Sequence, residues 1–400
     1  MTRRHLFIFT LLLVALNTQA DERLHLSGFG TLGAAWFSNE ETDFSPNIQP
    51  VGPGRSKTID WVLDSRLGGQ ADIELSKSLQ ITLQGIIQRQ PGRDFKPQIS
   101  LAHLRWQPIE NLSLRLGRVQ DNSFLASEYR LANLPNPWVR PPPEVYGLIP
   151  LIYEDGLDAS WHQAIGGGHF DISLSLGRGD YKVARSNEPG LEQVNISQSQ
   201  RLVARWQGGN WQAKASYGTR QLSYGPAALQ PAIDAVASID PASGAQLAIK
   251  DVALQTWTLG LAYDSDDWLF MAEWAQRQSV SAFADASGAY LLAGYRFGPA
   301  MPYAGIARRV TDGGSVSSQN PLAAAIIDEI YASQERKNIT LTIGLNYALT
   351  STLILRSQID FIRPDDNSWG AGPYNNHAPE YNYQHPPREC LISLSVDFIF

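Results

Sequence analysis

An all-β fold, a 16-stranded antiparallel transmembrane β-barrel, is what this 400-residue sequence predicts. Short segments alternate in side-chain character with period two, and no long helical period follows residue 20. The connections between these segments alternate between short and long. Aromatic residues gather at both ends of the segments rather than in their middles, as they do where strands cross a membrane.

Residues 1–20 read as a cleavable export signal. Arg3, Arg4 and His5 give a positive start, Leu6 to Leu16 an apolar stretch, and Thr18-Gln19-Ala20 a small-residue cleavage site. The stretch is too short for a membrane anchor, which needs about 20 apolar residues. Residues 21–400 then form one barrel domain, with no linker, repeat or change of composition between halves. Without Arg3 and Arg4 the basic count falls from 32 to 30 against 39 acidic residues, a net charge near −9. That balance argues against a nucleic-acid partner, which calls for a basic face. The single cysteine, Cys390, leaves no intrachain disulfide.

The strands follow from alternation. In SRLGGQADIEL (65–75), Leu67, Ala71, Ile73 and Leu75 share one face, while Arg66, Gln70, Asp72 and Glu74 share the other. LTIGLNY (341–347) divides the same way. Sixteen such segments occur, near 24–37, 60–75, 79–90, 98–106, 112–120, 155–162, 169–179, 198–207, 210–220, 251–264, 267–279, 288–297, 301–310, 336–348, 352–363 and 389–400. The short connections include SKSL, PIEN, QGGN and DSDD; the long ones belong to the opposite, outer side. Trp106, Trp161, Trp206, Trp211 and Trp268 flank short turns, with Tyr263, Phe297, Tyr303 and Tyr347 in similar positions. Trp36, Trp61, Tyr217, Trp257, Trp274 and Phe361 form a second girdle about ten residues away.

The terminal strand LISLSVDFIF, closing on Phe400, the opening LSGFGTLGAAW (26–36) and the segment PWVRPPPEVYG (137–147) resemble the Gram-negative outer-membrane porin family over essentially the whole mature chain. The resemblance implies a trimeric outer-membrane channel for passive diffusion of small hydrophilic solutes and ions. It also implies an inward-folded third outer loop that narrows the pore. The lipid bilayer and the permeating solutes are then the partners, and no cofactor is called for.

In the strand list, that loop is the connection 121–154. Its segment NLPNPWVRPPPEVYG (133–147) carries five prolines in fifteen residues, so ordering it inside a lumen costs less entropy. Leu134, Trp138, Val145 and Tyr146 supply faces for packing on a wall. The acidic Pro-Glu-Phe-Gly type of motif that many general porins carry here is missing. Glu128, Arg130, Arg140, Glu144 and Glu154 are the expected constriction charges, a mixed set.

Inward parity gathers charge on the wall as well. Arg66, Arg105, Arg115, Arg201, Arg205, Lys214, Arg296, Arg308 and Arg356 face Asp72, Glu74, Asp158, Asp171, Glu273 and Asp360; Arg118 joins them if its strand slips register. A water-filled lumen tolerates such residues. Arg66, Arg115 and Arg118 are expected to oppose acidic loop residues across the pore, a field that orients dipolar solutes; nine basic against six acidic inward side chains point to a weak anion preference. Small outward residues on the first strands (Gly28, Gly30, Ala34, Gly69, Ala71, Gly85) mark the expected subunit contact. Bulky ones later in the chain (Trp257, Leu259, Phe270, Trp274) mark lipid.

Other motifs carry less. GFGTLG (28–33) fits the dinucleotide pattern but sits inside a strand, without the helix that chemistry needs. His162 with His169, and His377 with His385 and Glu380, are too loosely spaced for a metal site. No Gly-x-Ser-x-Gly supports a lipid hydrolase. A substrate-specific channel, a lipid-modifying barrel enzyme and a surface-binding barrel stay as alternatives to the diffusion channel.

Overall fold

The computed structural model describes residues 23–46, 51–92, 95–149, 151–184, 190–225, 228–370 and 376–400; the predicted export signal lies outside them. Sixteen long strands and one two-residue strand make a single closed sheet. In chain order these are β1 (Leu24–Phe37), β2 (Ile59–Asp60), β3 (Arg66–Ser76), β4 (Leu79–Arg89), β5 (Phe95–Ile109) and β6 (Leu112–Gln120). There follow β7 (Tyr153–Ile165), β8 (Gly168–Ala184), β9 (Leu191–Gly208), β10 (Trp211–Tyr224), β11 (Val252–Asp264) and β12 (Trp268–Ser279). The last are β13 (Asp285–Tyr295), β14 (Ala300–Asp312), β15 (Asn338–Thr350), β16 (Leu353–Pro364) and β17 (Glu389–Ile399).

Long strands pair antiparallel with their chain neighbours, and β17 returns to β1, from Phe29 opposite Ile399 to Phe37 opposite Leu391. Closure removes the free edge that hydrocarbon would leave unpaired. No described helix is long and apolar enough to cross a membrane. Where one strand was expected over 60–75 there are two. Asp60 turns its carboxylate to the backbone N–H of Val62 (2.8 Å) and to Arg89 (2.6 Å), and the chain leaves the ladder between β2 and β3.

The inner turns are tight. Gly166 and Gly167, at φ 60° and 78°, make the two-residue link between β7 and β8, a conformation that favours glycine at both positions. On the outer side, the helices Gln230–Ile239 and Pro321–Ala332 pack Val236, Ile327 and Ile330 into a small apolar cluster. Asp240 accepts from Ser318 (2.5 Å) and Ser243 (2.7 Å), and these hydrogen bonds hold its carboxyl down at about 2.

Register fixes which face each residue takes. Leu104, Leu116, Leu157 and Leu176 stand in one row across β5 to β8 and point outward, all four exposed. One residue along, Arg105, Arg115 and Asp158 form an inward row. The girdles are present: the rings of Trp211 and Tyr263 meet at 4.8 Å near the inner turns, and those of Tyr217 and Trp257 at 4.1 Å nearer the outer side. On β10 to β12 they stand six residues apart, closer than the expected ten.

Two expectations fail on β14. Tyr303 is buried inside, its hydroxyl bonded to Gln358 at 3.0 Å, and Arg308 lies on the outward face near the outer rim, paired with Asp365. The reason is register: Ile306 aligns with Leu291 on one side and Leu341 on the other, which turns Arg308 outward and Arg309 inward. A third concerns Gly28 and Gly30. Each lies beneath a phenyl ring, of Phe400 and Phe398 respectively, so the last strand fills the low outer face expected there.

Candidate functional site

The connection from β6 to β7, residues 121–152, is bonded to the lumen-facing parity of the barrel along much of its length. Thr258 Oγ1 donates to the Ser123 carbonyl (2.7 Å), Lys214 Nζ to that of Phe124 (2.7 Å), and the Leu125 N–H donates to Glu273 (2.5 Å). Further along, Arg356 donates to the carbonyls of Leu134 and Asn136 (2.8 Å each), Asn346 to that of Pro137 (2.6 Å), and the Val139 N–H donates to Gln358 (2.9 Å). Proline leaves many carbonyls and few N–H groups to satisfy, and donors from the wall meet them.

Apolar contact complements these bonds. Trp138 and Tyr146 are buried, and the Trp138 ring meets Tyr290 of β13 edge-on at 5.6 Å. The short helix Pro143–Tyr146 lies so close to β13 that a Cβ at Gly288 would stand 2.1 Å from the Glu144 carbonyl oxygen. Glycine at 288 is what lets the loop settle there.

Ion pairs pin both ends. Asp121 accepts from Arg220 (2.5 Å) and Arg201 (2.8 Å), and Arg201 also reaches Glu154 (2.6 Å). Burial works against the Asp121 charge, but the two guanidinium groups outweigh it and hold the carboxyl at about 2. Arg140 meets Asp64 at two points, with Nε to Oδ1 at 3.0 Å and Nη2 to Oδ2 at 2.5 Å, and donates to Ser393 at 2.9 Å. Glu144 is in no ion pair among the described residues; it accepts from Asn338 (2.8 Å) and Thr340 (2.6 Å). Burial pushes its carboxyl up from the ordinary range, and those two hydrogen bonds oppose the rise.

The expected constriction charges therefore part company. Arg140 and Glu144 are buried as anchors, Glu154 is a wall residue of β7 held by Arg201, and Glu128 pairs with Arg205 at 3.1 Å. Arg130 stands apart: its guanidinium lies 5.4 Å over the Tyr146 ring and forms no ion pair or hydrogen bond among the described residues. On the wall, Arg115 is paired with Asp158 (2.7 Å), and Arg105 is bonded to Gln80 and Gln107. Asp72 accepts from Gln70, Gln80 and Thr82, while Glu74 sits exposed near the inner rim, 3.9 Å from His25. Arg66 likewise has no ion pair or hydrogen bond among the described residues, and its Nε is a buried donor without an acceptor.

Arg118 is a correction. It shares a row with Ala102 and Asp155, two residues beyond the outward Leu116 and Leu157, so it faces the membrane. It is bonded there to Asp155 at 2.7 and 2.8 Å.

Two arginines remain without a bonded partner among the described residues, Arg130 on the loop and Arg66 on β3; Asp64 and Asp397 lie within Coulombic reach of Arg66, and Asp121 and Glu273 within that of Arg130. The two arginines lie within each other's Coulombic reach: burial and then the repulsion of Arg66 act to lower the Arg130 pKa, while Tyr146 and Asp121 oppose them. A basic wall opposing an acidic loop was the expected arrangement; here, among the described residues, an arginine without a bonded partner lies on each side, while Asp72 of the wall accepts only from neutral groups. The sequence missed the clasp of Asp121 and Glu154 with Arg201 and Arg220, and the partner of Arg140. Each joins strands or loops distant in the chain, and no local pattern announces such pairs.

No family model and no curated protein matches this chain. Solved structures do. The outer-membrane channel DcaP of Acinetobacter baumannii aligns with a TM-score of 0.57 at 10% identity, covering 96% of this chain and 99% of its own. An anion-selective porin from Comamonas acidovorans aligns at 0.55 with 12% identity, covering 94% and 99%. Salmonella typhi OmpF aligns at 0.53 with 11% identity, covering 94% and 97%. The chain has the outer-membrane porin fold.

Proposed function

We propose that the protein is a porin of the bacterial outer membrane, a water-filled channel for passive diffusion of small hydrophilic solutes and ions, with a preference for anions. It works without turnover and without a cofactor. Residues 21–400 are the barrel and 121–152 the constriction loop, two residues shorter than the 121–154 read from the sequence because Tyr153 and Glu154 belong to β7. The carrying observation is the pair Arg66 and Arg130: among the described residues every other cation named at the constriction has a bonded carboxylate or carbonyl partner, and these two form no ion pair or hydrogen bond. A permeating anion would meet both as it passes the loop, and water in the lumen would screen them only in part. The porin of known structure described as anion-selective shares this fold, which is consistent with the reading but does not carry it.

The assembly is a trimer, packed through the wall of β1, β3 and β4. Gly69 and Gly85 face each other across the ladder there and leave open space outside, so another barrel can approach. The reversal potential of single channels in a salt gradient tests the function. Anion preference in the wild type that drops in Arg66→Gln and Arg130→Gln supports it, and cation selectivity in the wild type overturns it.

A further inference from the structure

On the membrane-facing wall of β6 to β8, three charged residues interrupt an apolar surface. Arg118, Asp155 and Arg178 stand in one row across the ladder. The row two residues closer to the inner turns is Leu116, Leu157 and Leu176, all exposed to the bilayer. Asp155 lies six residues from Trp161 of the inner girdle. The same interval separates Trp211 from Tyr217 and Trp268 from Trp274, so the charged row stands at the outer edge of the apolar band. Charge on a lipid-facing wall is costly at mid-depth and tolerated at this boundary.

Within the row, Arg118 is already satisfied. It holds Asp155 through two hydrogen bonds, donates to the Ile99 carbonyl at 2.9 Å and lies 4.1 Å over the Tyr153 ring. Arg178 faces Asp155 across the ladder, is exposed, and forms no ion pair or hydrogen bond among the described residues. The three residues together carry one net positive charge.

We propose that Arg178, beside the Arg118–Asp155 pair, docks the phosphate group of an anionic outer-leaflet lipid. The planar guanidinium fork matches phosphate oxygens at two points. The leucine row below offers apolar contact to the lipid's acyl chains, which free phosphate has no means to use. Two arginines stand in the row against one carboxylate, which Arg118 takes, so the site complements a negative headgroup and not a zwitterionic one. This inference rests on the barrel standing in an outer membrane.

The test uses the full barrel in detergent micelles. Wild type, Arg178→Gln and the neutral double variant Arg118→Ala/Asp155→Ala are incubated with a bisphosphorylated acylated disaccharide lipid or its dephosphorylated form. Lipid retained after gel filtration is counted, and conductance is recorded on the same samples. The wild type retains the phosphorylated lipid in preference, and Arg178→Gln retains roughly five-fold less at unchanged conductance. The double variant, which keeps Arg178, retains the preference. Equal retention by Arg178→Gln, or of the dephosphorylated lipid, overturns the proposal. So does full displacement by inorganic phosphate at equal concentration, which would mark a free-anion site. Disulfide-linked copies of an Arg178→Cys variant would mark a subunit interface and overturn it too. Conductance lost in the wild type would instead count against the channel reading.

Discussion

Arg140 and Asp64 form a two-point ion pair that ties the proline-rich loop to the connection between β1 and β3. Both side chains are buried, so the pair is dependable only while complete. Arg140→Ala leaves a carboxylate enclosed without its cation, a change that costs about 3–5 kcal/mol in typical buried pairs. Hydrogen exchange of the amides of 133–147 should accelerate accordingly. In the double variant Arg140→Gln/Asp64→Asn the effect should be smaller than in Arg140→Ala alone. Equal acceleration in both would remove the anchor role from the pair.

Arg66 and Arg130 should set ion preference. An ion passing about 7 Å from a single charge in water feels about 0.6 kcal/mol, favourable for an anion and unfavourable for a cation, a factor of roughly seven in their permeability ratio. Arg130→Gln and Arg66→Gln should each lower the anion-to-cation ratio by that order, and more at low salt than at high. Glu144→Gln should leave it nearly unchanged, because Glu144 is sealed between the loop and β15. A large selectivity change from Glu144→Gln would put that carboxylate in the bore.

Glu144 also makes loop docking depend on pH. Its carboxyl is raised in the folded protein, so docking is fully stabilised below the ordinary glutamate range, near 4.3, and weakens as pH rises through the raised value. Conductance fluctuations of the wild type should therefore grow from acidic to alkaline pH. In Glu144→Gln, which stays neutral and can still accept from Asn338 and Thr340, they should stay flat. Growth toward acidic pH would reverse the sign and refute the assignment.

Cysteines placed at Gly69 or Ala71, in a Cys390→Ser background, should crosslink subunits if the open glycine row of β3 and β4 is the contact. Crosslinking only from Leu259 or Phe270 would move the contact to the opposite wall.

The barrel was legible because two-sided strands leave a local signature. In 65–75 and 341–347 each residue's face follows from its neighbours two positions away. The signature failed on β14, where arginine occupies both parities at 308 and 309 and only pairing with Leu291 and Leu341 decides. The loop was legible as a stiff, aromatic, wall-seeking segment from its prolines and from Trp138. Its charge partners were not, because Asp64, Arg201 and Asn338 are supplied by elements far along the chain. So the sequence could name Arg130 and Arg140 as loop charges but could not tell that one is neutralised and the other free.

The central claim is that residues 121–152 occupy and narrow a conducting lumen. It is tested most directly by single-channel conductance after replacing Asn133–Gly147 with a short Gly/Ser linker. The segment closes no part of the strand ladder, so the barrel should still shift on heating in gels. Conductance should rise and larger sugars should pass. An unchanged conductance and size limit in a folded barrel would contradict the claim.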